Sequence, residues 1–290
     1  MNAYTEAVTR NNSKIERSTL ASAPRYAIRS RLFHLICTEP EPHELQPDHE
    51  NVWFDEHLEG DERFFSRLPE LNFEGRSVLD YGCGAGHTSI TAAERGARRV
   101  LGVDINSVAA AQSHLANEYP QFRETVEFRQ VDGAEGIGGE RFDLVTSKNA
   151  IEHVADPIVY VRDMAALLAP GGQLVIGFGG LWKSPYGGHL MHMTKVPWAH
   201  LLFPESVILQ ERKRFRPNED PSCFEEIKGG LNRMTLAKFR SVMNQTKLEP
   251  TYFETNRNDR AVGKALNVLS KLPGLEGYFT FSIHSIWEHP

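Results

Sequence analysis

The stretch VLDYGCGAGH, residues 78–87, decides the fold of this chain. An apolar run typical of a buried strand leads into glycines at every second position, Gly82, Gly84 and Gly86, and a helix-compatible segment follows. Glycines allow positive φ values and let the backbone approach a ligand without a Cβ clash. The start of a helix offers backbone N–H groups that lack an intrahelical partner. The stretch therefore predicts a strand, a glycine-rich binding turn and a helix in direct succession.

The residues around this turn indicate which ligands it suits. A dinucleotide-binding turn has the pattern G-x-G-x-x-G, and counting from Gly82 places His87 at the last glycine position. Asp80 lies just before the turn, where its charge would repel a pyrophosphate. A ligand that carries an ammonium group and a sulfonium would instead be attracted. These residues therefore disfavour a nicotinamide-dependent oxidoreductase.

Strand and helix patterns alternate downstream of the turn. Five short apolar runs are typical of strands buried on both faces: SVLDYG, RVLGVD, VEFRQVD, FDLVTS and GQLVIGFG. Helix-compatible segments lie between the two members of three of the pairs of consecutive strand candidates. The strand candidates LEPTYFET and FTFSIHSIWE follow the helix candidate MTLAKFRSVMNQT. We predict an α/β fold with a Rossmann-like, doubly wound, mostly parallel seven-stranded sheet. An N-terminal helical extension and a lid insertion after strand five complete the predicted architecture.

Two further acids end the second and third strand candidates. Asp104 lies where a carboxylate can accept bonds from both hydroxyls of a ribose, and a plain helix cap is the alternative. Asp132 could meet the exocyclic amine of adenine, with Ile105 and Ala134 flanking the ring. An ordinary turn aspartate before Gly133 is the alternative for Asp132. Because the carboxyl ends of parallel strands meet at one edge, the acids and the glycine turn together predict one crevice.

These motifs resemble the ordered motifs of class I S-adenosylmethionine-dependent methyltransferases. The resemblance rests on DYGCGAG, VDIN, VDGA, FDLVTS and LAPGGQLVI. It is close over residues 76–179 and holds in outline over residues 233–287. The resemblance implies S-adenosylmethionine as the cofactor and methyl transfer as the reaction.

The resemblance also implies which residues bind the cofactor. Asp80 and the glycine turn would hold the methionine part, Asp104 the ribose and Asp132 the adenine. The full set of expected cofactor-binding residues is Asp80, Gly82, Gly84, Gly86, Asp104, Ile105, Asp132, Gly133, Ala134 and Asn149.

The segment after the fourth strand candidate carries the pattern I-E-H-V-x-D-P. It resembles the small-molecule branch that includes quinone-biosynthesis methyltransferases. The N/D-P-P-Y/F signature of many enzymes that methylate planar nitrogens does not occur here, which disfavours a nucleobase or amide acceptor. His153 is the leading candidate for the catalytic base, because imidazole titrates near neutral pH, and a histidine packed against the next helix is the alternative. Glu152 could orient His153 or itself act as base for a carbon acceptor.

Asn149, Glu152 and His153 also differ by one residue from a metal-binding pattern. Some quinone O-methyltransferases carry E-x-x-E-H here, and this chain has N-x-x-E-H. Asparagine still offers an oxygen ligand but lacks the charge, so Mg²⁺ would bind more weakly. A weak Mg²⁺ site at Glu152 and His153 is therefore an open alternative.

Residues 180–232 are rich in Gly, His, Trp, Tyr and Pro and have no clear period. Segments of this length inside a domain are typically binding loops or lids. We predict a lid that excludes water from the reacting centre, with Tyr186, His189, Trp198 and Phe203 forming an aromatic wall for the acceptor. Tyr186 and His189 are further catalytic candidates. A packed excursion that supports the edge of the sheet is the alternative.

Composition restricts the partners and the setting. A formal net charge of −6 offers no global positive field for nucleic acid, and 40% hydrophobic with 24% charged residues is ordinary globular composition. The three cysteines are scattered and lack metal-ligand spacing. The N-terminus is too polar for a signal peptide, and no apolar run approaches about 18 residues. We therefore expect a cytoplasmic protein that binds neither nucleic acid nor membrane.

Two regions are predicted along the chain. Residues 1–60 would form an N-terminal arm or helical cap, and residues 61–290 the methyltransferase domain, in which residues 180–232 are the acceptor-binding lid. Asp61 is placed as the N-cap of a short helix that leads into this domain. Whether the N-terminal region covers the pocket or forms the arm of a homodimer is left open.

The function predicted from the sequence is methylation of a small molecule. We expect transfer to a hydroxyl of an acceptor with aromatic or apolar surface. The nearest alternative is C-methylation of a prenyl-like or polyketide-like acceptor. A catalytically silent cofactor-binding scaffold is the alternative of another class.

Overall fold

The computed structural model describes residues 24–40, 49–69, 71–256 and 261–290. Seven strands form one sheet in the order β3-β2-β1-β4-β5-β7-β6. The strands are β1 (Ser77–Tyr81), β2 (Arg99–Asp104), β3 (Val126–Gln130), β4 (Phe142–Lys148), β5 (Leu168–Gly179), β6 (Glu249–Thr255) and β7 (Ser282–Glu288). Every residue of β1 is buried, as expected for a central strand covered on both faces.

The pairing of the strands sets the position of the ligand crevice. β1 pairs in parallel with both β2 and β4, and β2–β3 and β4–β5 are also parallel. β7 is antiparallel to β5 and to β6. The predicted mostly parallel, seven-stranded Rossmann-like sheet is therefore confirmed. The strand order reverses between β1 and β4, and ligands of such sheets bind beyond the carboxyl ends of the strands at this switch point.

Ten α-helices surround the sheet in the part of the chain that the structure describes. They are α1 (Pro24–Ile36), α2 (His49–Phe65), α3 (His87–Glu94), α4 (Ala109–Asn117), α5 (Pro157–Ala166), α6 (Ala199–Leu202), α7 (Glu205–Arg212), α8 (Leu236–Met243), α9 (Ala261–Leu269) and α10 (Glu276–Phe279). α5 begins where its sequence predicts a start: Asp156 caps the backbone N–H groups of Ile158 and Val159, and Pro157 occupies the first turn.

Two hydrophobic clusters cover the two faces of the sheet. Leu79 and Tyr81 of β1 belong to one cluster, which includes side chains of α5 and α8. Val78 belongs to the other, which includes side chains of α2, α3 and α4. Alternate residues of one strand point to opposite faces, so the central strands contribute to both clusters. This packing fixes the strand ends that carry the candidate site.

The helix α2 corrects one prediction. Asp61 lies inside the last turns of His49–Phe65 and is not an N-cap, and the helix crosses the boundary that we expected after residue 60. Phe54, Leu58, Asp61 and Phe65 follow one another at helical spacing, and Asp61 is fully buried between the two phenylalanines along that face. Hydrophobic packing thus extends the helix upstream of the residue where the sequence suggested a start.

Residues 180–232, called the insertion below, form a third hydrophobic cluster together with α1. Phe33 of α1 is fully buried in this cluster, and Thr194 Oγ1 donates a hydrogen bond to the carbonyl of Ile36 at 2.7 Å. The helices α6 and α7 lie within the insertion. No helix within the described ranges is both long enough and apolar enough to cross a membrane.

Candidate active site

The glycine turn after β1 has one open position and two tightly packed ones. Gly82, Gly84 and Gly86 all adopt positive φ, at 85°, 50° and 90°. A Cβ on Gly82 would lie 2.7 Å from the Tyr160 hydroxyl, and one on Gly86 would lie 2.6 Å from the Phe128 ring. A Cβ on Gly84 would have no atom of the described ranges within 4 Å. The outer glycines are therefore needed for packing, and the space above Gly84 can accept a ligand.

Asp80 lies beneath this turn and is almost fully buried. Its Oδ2 accepts a hydrogen bond from Ser89 Oγ at 2.7 Å. Burial raises the pKa of the Asp80 carboxyl to about 7, against the opposing effects of the Ser89 bond and the charge of His87. A cation bound beside Asp80 would favour its ionised form, so the site suits an ammonium group.

Asp104 connects the end of β2 to the glycine turn. Its Oδ2 accepts from the backbone N–H of Gly84 at 3.0 Å, and its Oδ1 accepts from the N–H of Asn106 at 2.8 Å. The following helix α4 starts only at Ala109, so Asp104 is not its cap. Ile105 follows with 64% of its side chain exposed, which leaves an apolar surface beside the crevice. Their contacts with a ribose and an adenine ring stay a prediction.

The turn after β3 carries Asp132, Gly133 and Ala134. Asp132 is exposed, and Gly133 has a φ of 77°. The N–H of Ala134 donates to Asp163 Oδ2 at 3.1 Å, and the Tyr81 hydroxyl donates to the same oxygen at 3.1 Å. Asp163 thus holds this turn against β1. The sequence analysis missed Asp163, although a lone carboxylate in the apolar helix PIVYVRDMAA was a usable signal.

These observations test whether the residues fit S-adenosylmethionine. The crevice combines open space above Gly84, a buried acid, an exposed acid and an exposed apolar side chain at three successive strand ends. The open space and the buried acid suit an amino-acid group. The acids at the next two strand ends and the apolar side chain suit a ribose and an adenine ring. The residues present therefore fit the cofactor.

The turn after β4 holds the catalytic candidates. His153 Nδ1 lies 2.7 Å from the carbonyl oxygen of Gly230, and since a carbonyl only accepts, Nδ1 carries the hydrogen. In the neutral ring this leaves Nε2 as a free base, 3.8 Å from Glu152 Oε1. Burial raises the pKa of Glu152 to about 8, although a backbone hydrogen bond and the charge of Lys148 oppose the shift. Glu152 Oε2 is buried and has no hydrogen-bond partner among the residues that the structure describes.

The end of the insertion is hydrogen-bonded to this turn. The Asn232 N–H donates to the carbonyl of Glu152 at 2.9 Å, and its Nδ2 donates to the carbonyls of Ile151 and Val154 at 2.7 and 2.8 Å. Together with Gly230, Asn232 fixes the backbone that presents His153. Asn232 has no recognisable local pattern in the sequence, because its partners lie about 80 residues earlier in the chain.

Only part of the predicted aromatic wall comes together. The rings of His189 and His153 lie 5.4 Å apart, and burial, together with the charge of His153, lowers the pKa of His189 to about 4. Tyr186 packs edge-on against Phe281. Trp198 donates its backbone N–H to the carbonyl of Pro185, next to Tyr186, and packs on Phe279, whereas Phe203 packs on Phe33. Hydrophobic contacts with α1 and α10 decide their positions.

The predicted metal site gains no support from the geometry. His153 Nδ1 is committed to the Gly230 carbonyl, and Asn149 adopts a φ of 51° with its N–H bonded to the carbonyl of Gly177. Within the described ranges, no group of three or more His, Cys, Asp or Glu side chains could hold a metal ion. Glu152 and His153 are close together, but they lack a third protein ligand of these types.

A buried polar cluster that the sequence did not predict lies beside the glycine turn. Asp61 Oδ2 accepts from His87 Nδ1 at 2.6 Å and from Thr88 Oγ1 at 2.7 Å, and its Oδ1 pairs with Lys148 Nζ. The cluster joins α2, the start of α3 and the end of β4. The spacing of Asp61 from Phe54 and Phe65 on one helix face was the only available signal.

Comparison with known proteins places the chain in a family. Residues 54–243 match the family described as methyltransferase domain. A ubiquinone biosynthesis O-methyltransferase of Stutzerimonas stutzeri (strain A1501) is 34% identical over 137 residues, which are 46% of this chain and 50% of that protein. The chain thus spans about half the length of the curated relatives that it matches.

Solved structures agree on the fold. The PH0226 protein from Pyrococcus horikoshii OT3 superposes with a TM-score of 0.55 at 16% identity, over 84% of this chain and 94% of that one. The [4+2]-cyclase SpnF superposes with a TM-score of 0.50 at 15% identity, over 81% of this chain and 80% of that one. Likeness at these identities concerns the fold alone. Since the family match covers more than half of the chain and includes the glycine turn and all three acidic strand ends, the chain belongs to the methyltransferase domain family, on the class I S-adenosylmethionine-dependent methyltransferase fold.

Proposed function

We propose that the chain transfers the methyl group of S-adenosylmethionine to a hydroxyl of a small molecule with apolar or aromatic surface. The observation that carries the proposal is the orientation of His153. Its Nδ1–H is held by the Gly230 carbonyl, which leaves Nε2 as the base at the mouth of β4, with about a third of the side chain exposed. A hydroxyl acceptor has to lose a proton during methylation, and Nε2 is placed to take it.

The residues divide the work between binding and proton transfer. The cofactor supplies a methyl group on an already activated sulfonium. Asp80, Asp104 and Asp132 bind and orient it, with Gly133, Ala134, Ile105 and Asn149 as further contacts. His153 accepts the proton of the acceptor hydroxyl at Nε2. His189, whose low pKa keeps it neutral, and Tyr186 line the acceptor side and exclude water.

The insertion is proposed as the acceptor-binding lid of the domain. Gly230 and Asn232 at its end touch the catalytic turn, and His189 lies against His153. The relatives named ubiquinone biosynthesis O-methyltransferases support a hydroxyl acceptor with apolar surface. They match less than half of this chain, so the acceptor itself is proposed by chemical class alone.

C-methylation is the second candidate, and Glu152 favours it. This carboxyl is buried beside the base, has one oxygen without a hydrogen-bond partner in the described part of the chain, and has a pKa raised to about 8 by burial. When ionised, it could stabilise a carbocation and remove its proton. Mg²⁺ held by Glu152 and His153 is the weaker variant of the O-methylation proposal, because these two side chains would leave most of its ligand positions to water.

The transferred carbon distinguishes these candidates. Cofactor labelled with carbon-13 in its methyl group is incubated with a panel of phenols, catechols and prenylated quinols, and the product is analysed by mass and by carbon NMR. The proposal predicts a methoxy carbon, formed without added metal and insensitive to a chelator. A methyl on carbon contradicts O-methylation, and no transfer to any acceptor together with intact cofactor binding favours a silent scaffold.

A further inference from the structure

A carboxylate of the N-terminal helix α2 lies across the switch point of the sheet. Asp61 has no exposed surface, and its two oxygens contact two different elements, α3 and β4. Oδ2 accepts from His87 and Thr88, which open α3 directly after the glycine turn. Oδ1 pairs with Lys148, the last residue of β4. Asp61 therefore connects the strands between which the order of the sheet reverses.

The energetics of this cluster indicate that Asp61 positions neighbouring side chains. Burial raises the pKa of the Asp61 carboxyl, but the bonds and charges of His87 and Lys148 outweigh burial and hold the pKa below its usual value. A buried ion pair is a weak source of stability, because desolvation of both partners offsets their attraction. Here the ion pair instead holds two side chains in place, because the Asp61 carboxylate contacts both His87 and Lys148.

The surroundings of the cluster match a zwitterion. Lys148 ends β4 at the switch point with its charge paired to Asp61, and the first backbone N–H groups of α3, next to the glycine turn, lack intrahelical partners. Asp80, which lies close enough for the charges of His87 and Asp61 to shift its pKa, supplies an acceptor for a cation. An α-amino acid group carries one carboxylate and one ammonium, so it is complementary to this arrangement.

We infer that Asp61 is a positioning residue for the amino-acid end of the cofactor: it holds His87 and Lys148 in the arrangement that receives this end, and it makes α2 a wall of the cofactor site. The inference rests on the proposed function, because it takes S-adenosylmethionine as the ligand. It adds a residue outside the strand-end motifs, supplied by a helix that the sequence placed at the domain boundary.

Two probes separate positioning from general stability. S-Adenosylhomocysteine carries the amino-acid end, and 5′-methylthioadenosine has the same adenosine and thioether without it. Calorimetric titration of the full chain with each probe is compared for wild type and Asp61→Asn. We expect S-adenosylhomocysteine to bind about 10- to 100-fold more weakly to the variant, as for loss of a hydrogen bond to a charged group, and methylthioadenosine to bind equally well to both.

The controls make each outcome decisive. Glu62→Gln changes the neighbouring, exposed acid of α2 and should alter neither affinity. If Asp61→Asn does not fold, Lys148→Met takes its place with the same expectation. Equal weakening of both probes, or no weakening of either, overturns the inference. If wild type binds methylthioadenosine and S-adenosylhomocysteine equally, the cofactor assignment stands but the proposed pocket for its amino-acid end is overturned. If wild type binds neither probe, the proposed function itself fails.

Discussion

The strand-end crevice and the catalytic turn are held in place in different ways. In the crevice, the contacts run between neighbouring strand ends: Gly82 bonds to Val103, and Asp104 bonds to Gly84. The turn at residues 151–154 instead depends on Gly230 and Asn232, which belong to the insertion. The sheet alone can thus form most of the cofactor site, whereas the base is positioned only when the insertion is docked. Cofactor binding and turnover should therefore respond to different substitutions.

The largest expected effect concerns His153. Substitution His153→Ala removes the base and should lower kcat by about 100- to 10,000-fold, while the affinity for S-adenosylhomocysteine stays at the wild-type value. Steady-state kinetics and calorimetry measure the two quantities. His289→Gln, at an exposed position near the C-terminus, is the matched control. Wild-type turnover in His153→Ala would remove this residue from the mechanism.

The next prediction concerns Asp104, whose loss should weaken cofactor binding, in contrast to the loss of His153, which should lower only turnover. Asp104→Ala should weaken S-adenosylhomocysteine binding by about 10- to 100-fold, because hydrogen bonds to a charged group are each worth about 1.5–3 kcal/mol. Asp156→Ala removes the cap of α5 and serves as control: it should lower the free energy of unfolding by about 1 kcal/mol without changing that affinity. Unchanged binding in Asp104→Ala would contradict the ribose assignment.

A smaller effect is expected from pH, through Asp80. The pKa of this buried carboxyl is raised to about 7, and a bound ammonium group favours the ionised form. Affinity for S-adenosylhomocysteine should therefore level off above that pH and fall, by up to about tenfold per unit, below it. Burial is the main cause of this raised pKa, and Ser89, His87, Asp61 and Asp104 also influence it, so Asp80→Asn is the required comparison. A pH dependence that persists in Asp80→Asn assigns it to another group.

The last prediction concerns Asn232, whose side chain holds the catalytic turn. Asn232→Ala removes the hydrogen bonds to the carbonyls of Ile151 and Val154 and should lower the free energy of unfolding by about 1–3 kcal/mol. Turnover should fall with it, while S-adenosylhomocysteine affinity is retained. Denaturant unfolding and calorimetry measure this, with Asn218→Ala, an exposed residue of the insertion, as control. Loss of cofactor affinity in Asn232→Ala would mean that the two regions are not independent.

The same contrast explains what the sequence could predict. The seven strands, the glycine turn and the placement of Asp104 and Ile105 follow from local patterns, because a strand end and the turn after it are adjacent in sequence. Asp61 was misread as a helix start because its burial depends on His87 and Lys148, which are distant in sequence.

The insertion was harder to predict for a related reason. Phe203 packs on Phe33 of α1, and Trp198 lies beside Tyr186 and packs on Phe279, so that an acceptor wall built from all of them stays a prediction. A segment without hydrophobic period does not indicate which way its aromatic side chains point. Asn232 carries no local signal either, because its role comes entirely from carbonyls that lie about 80 residues earlier.

One titration tests the central claim that the crevice holds S-adenosylmethionine and that the catalytic turn lies outside it. S-Adenosylhomocysteine and NADH are titrated by calorimetry into wild type and into His153→Ala. We expect S-adenosylhomocysteine to bind saturably, with the same affinity for wild type and His153→Ala, and NADH not to bind to either protein. Binding of NADH in place of S-adenosylhomocysteine, or loss of S-adenosylhomocysteine binding in His153→Ala, would contradict it.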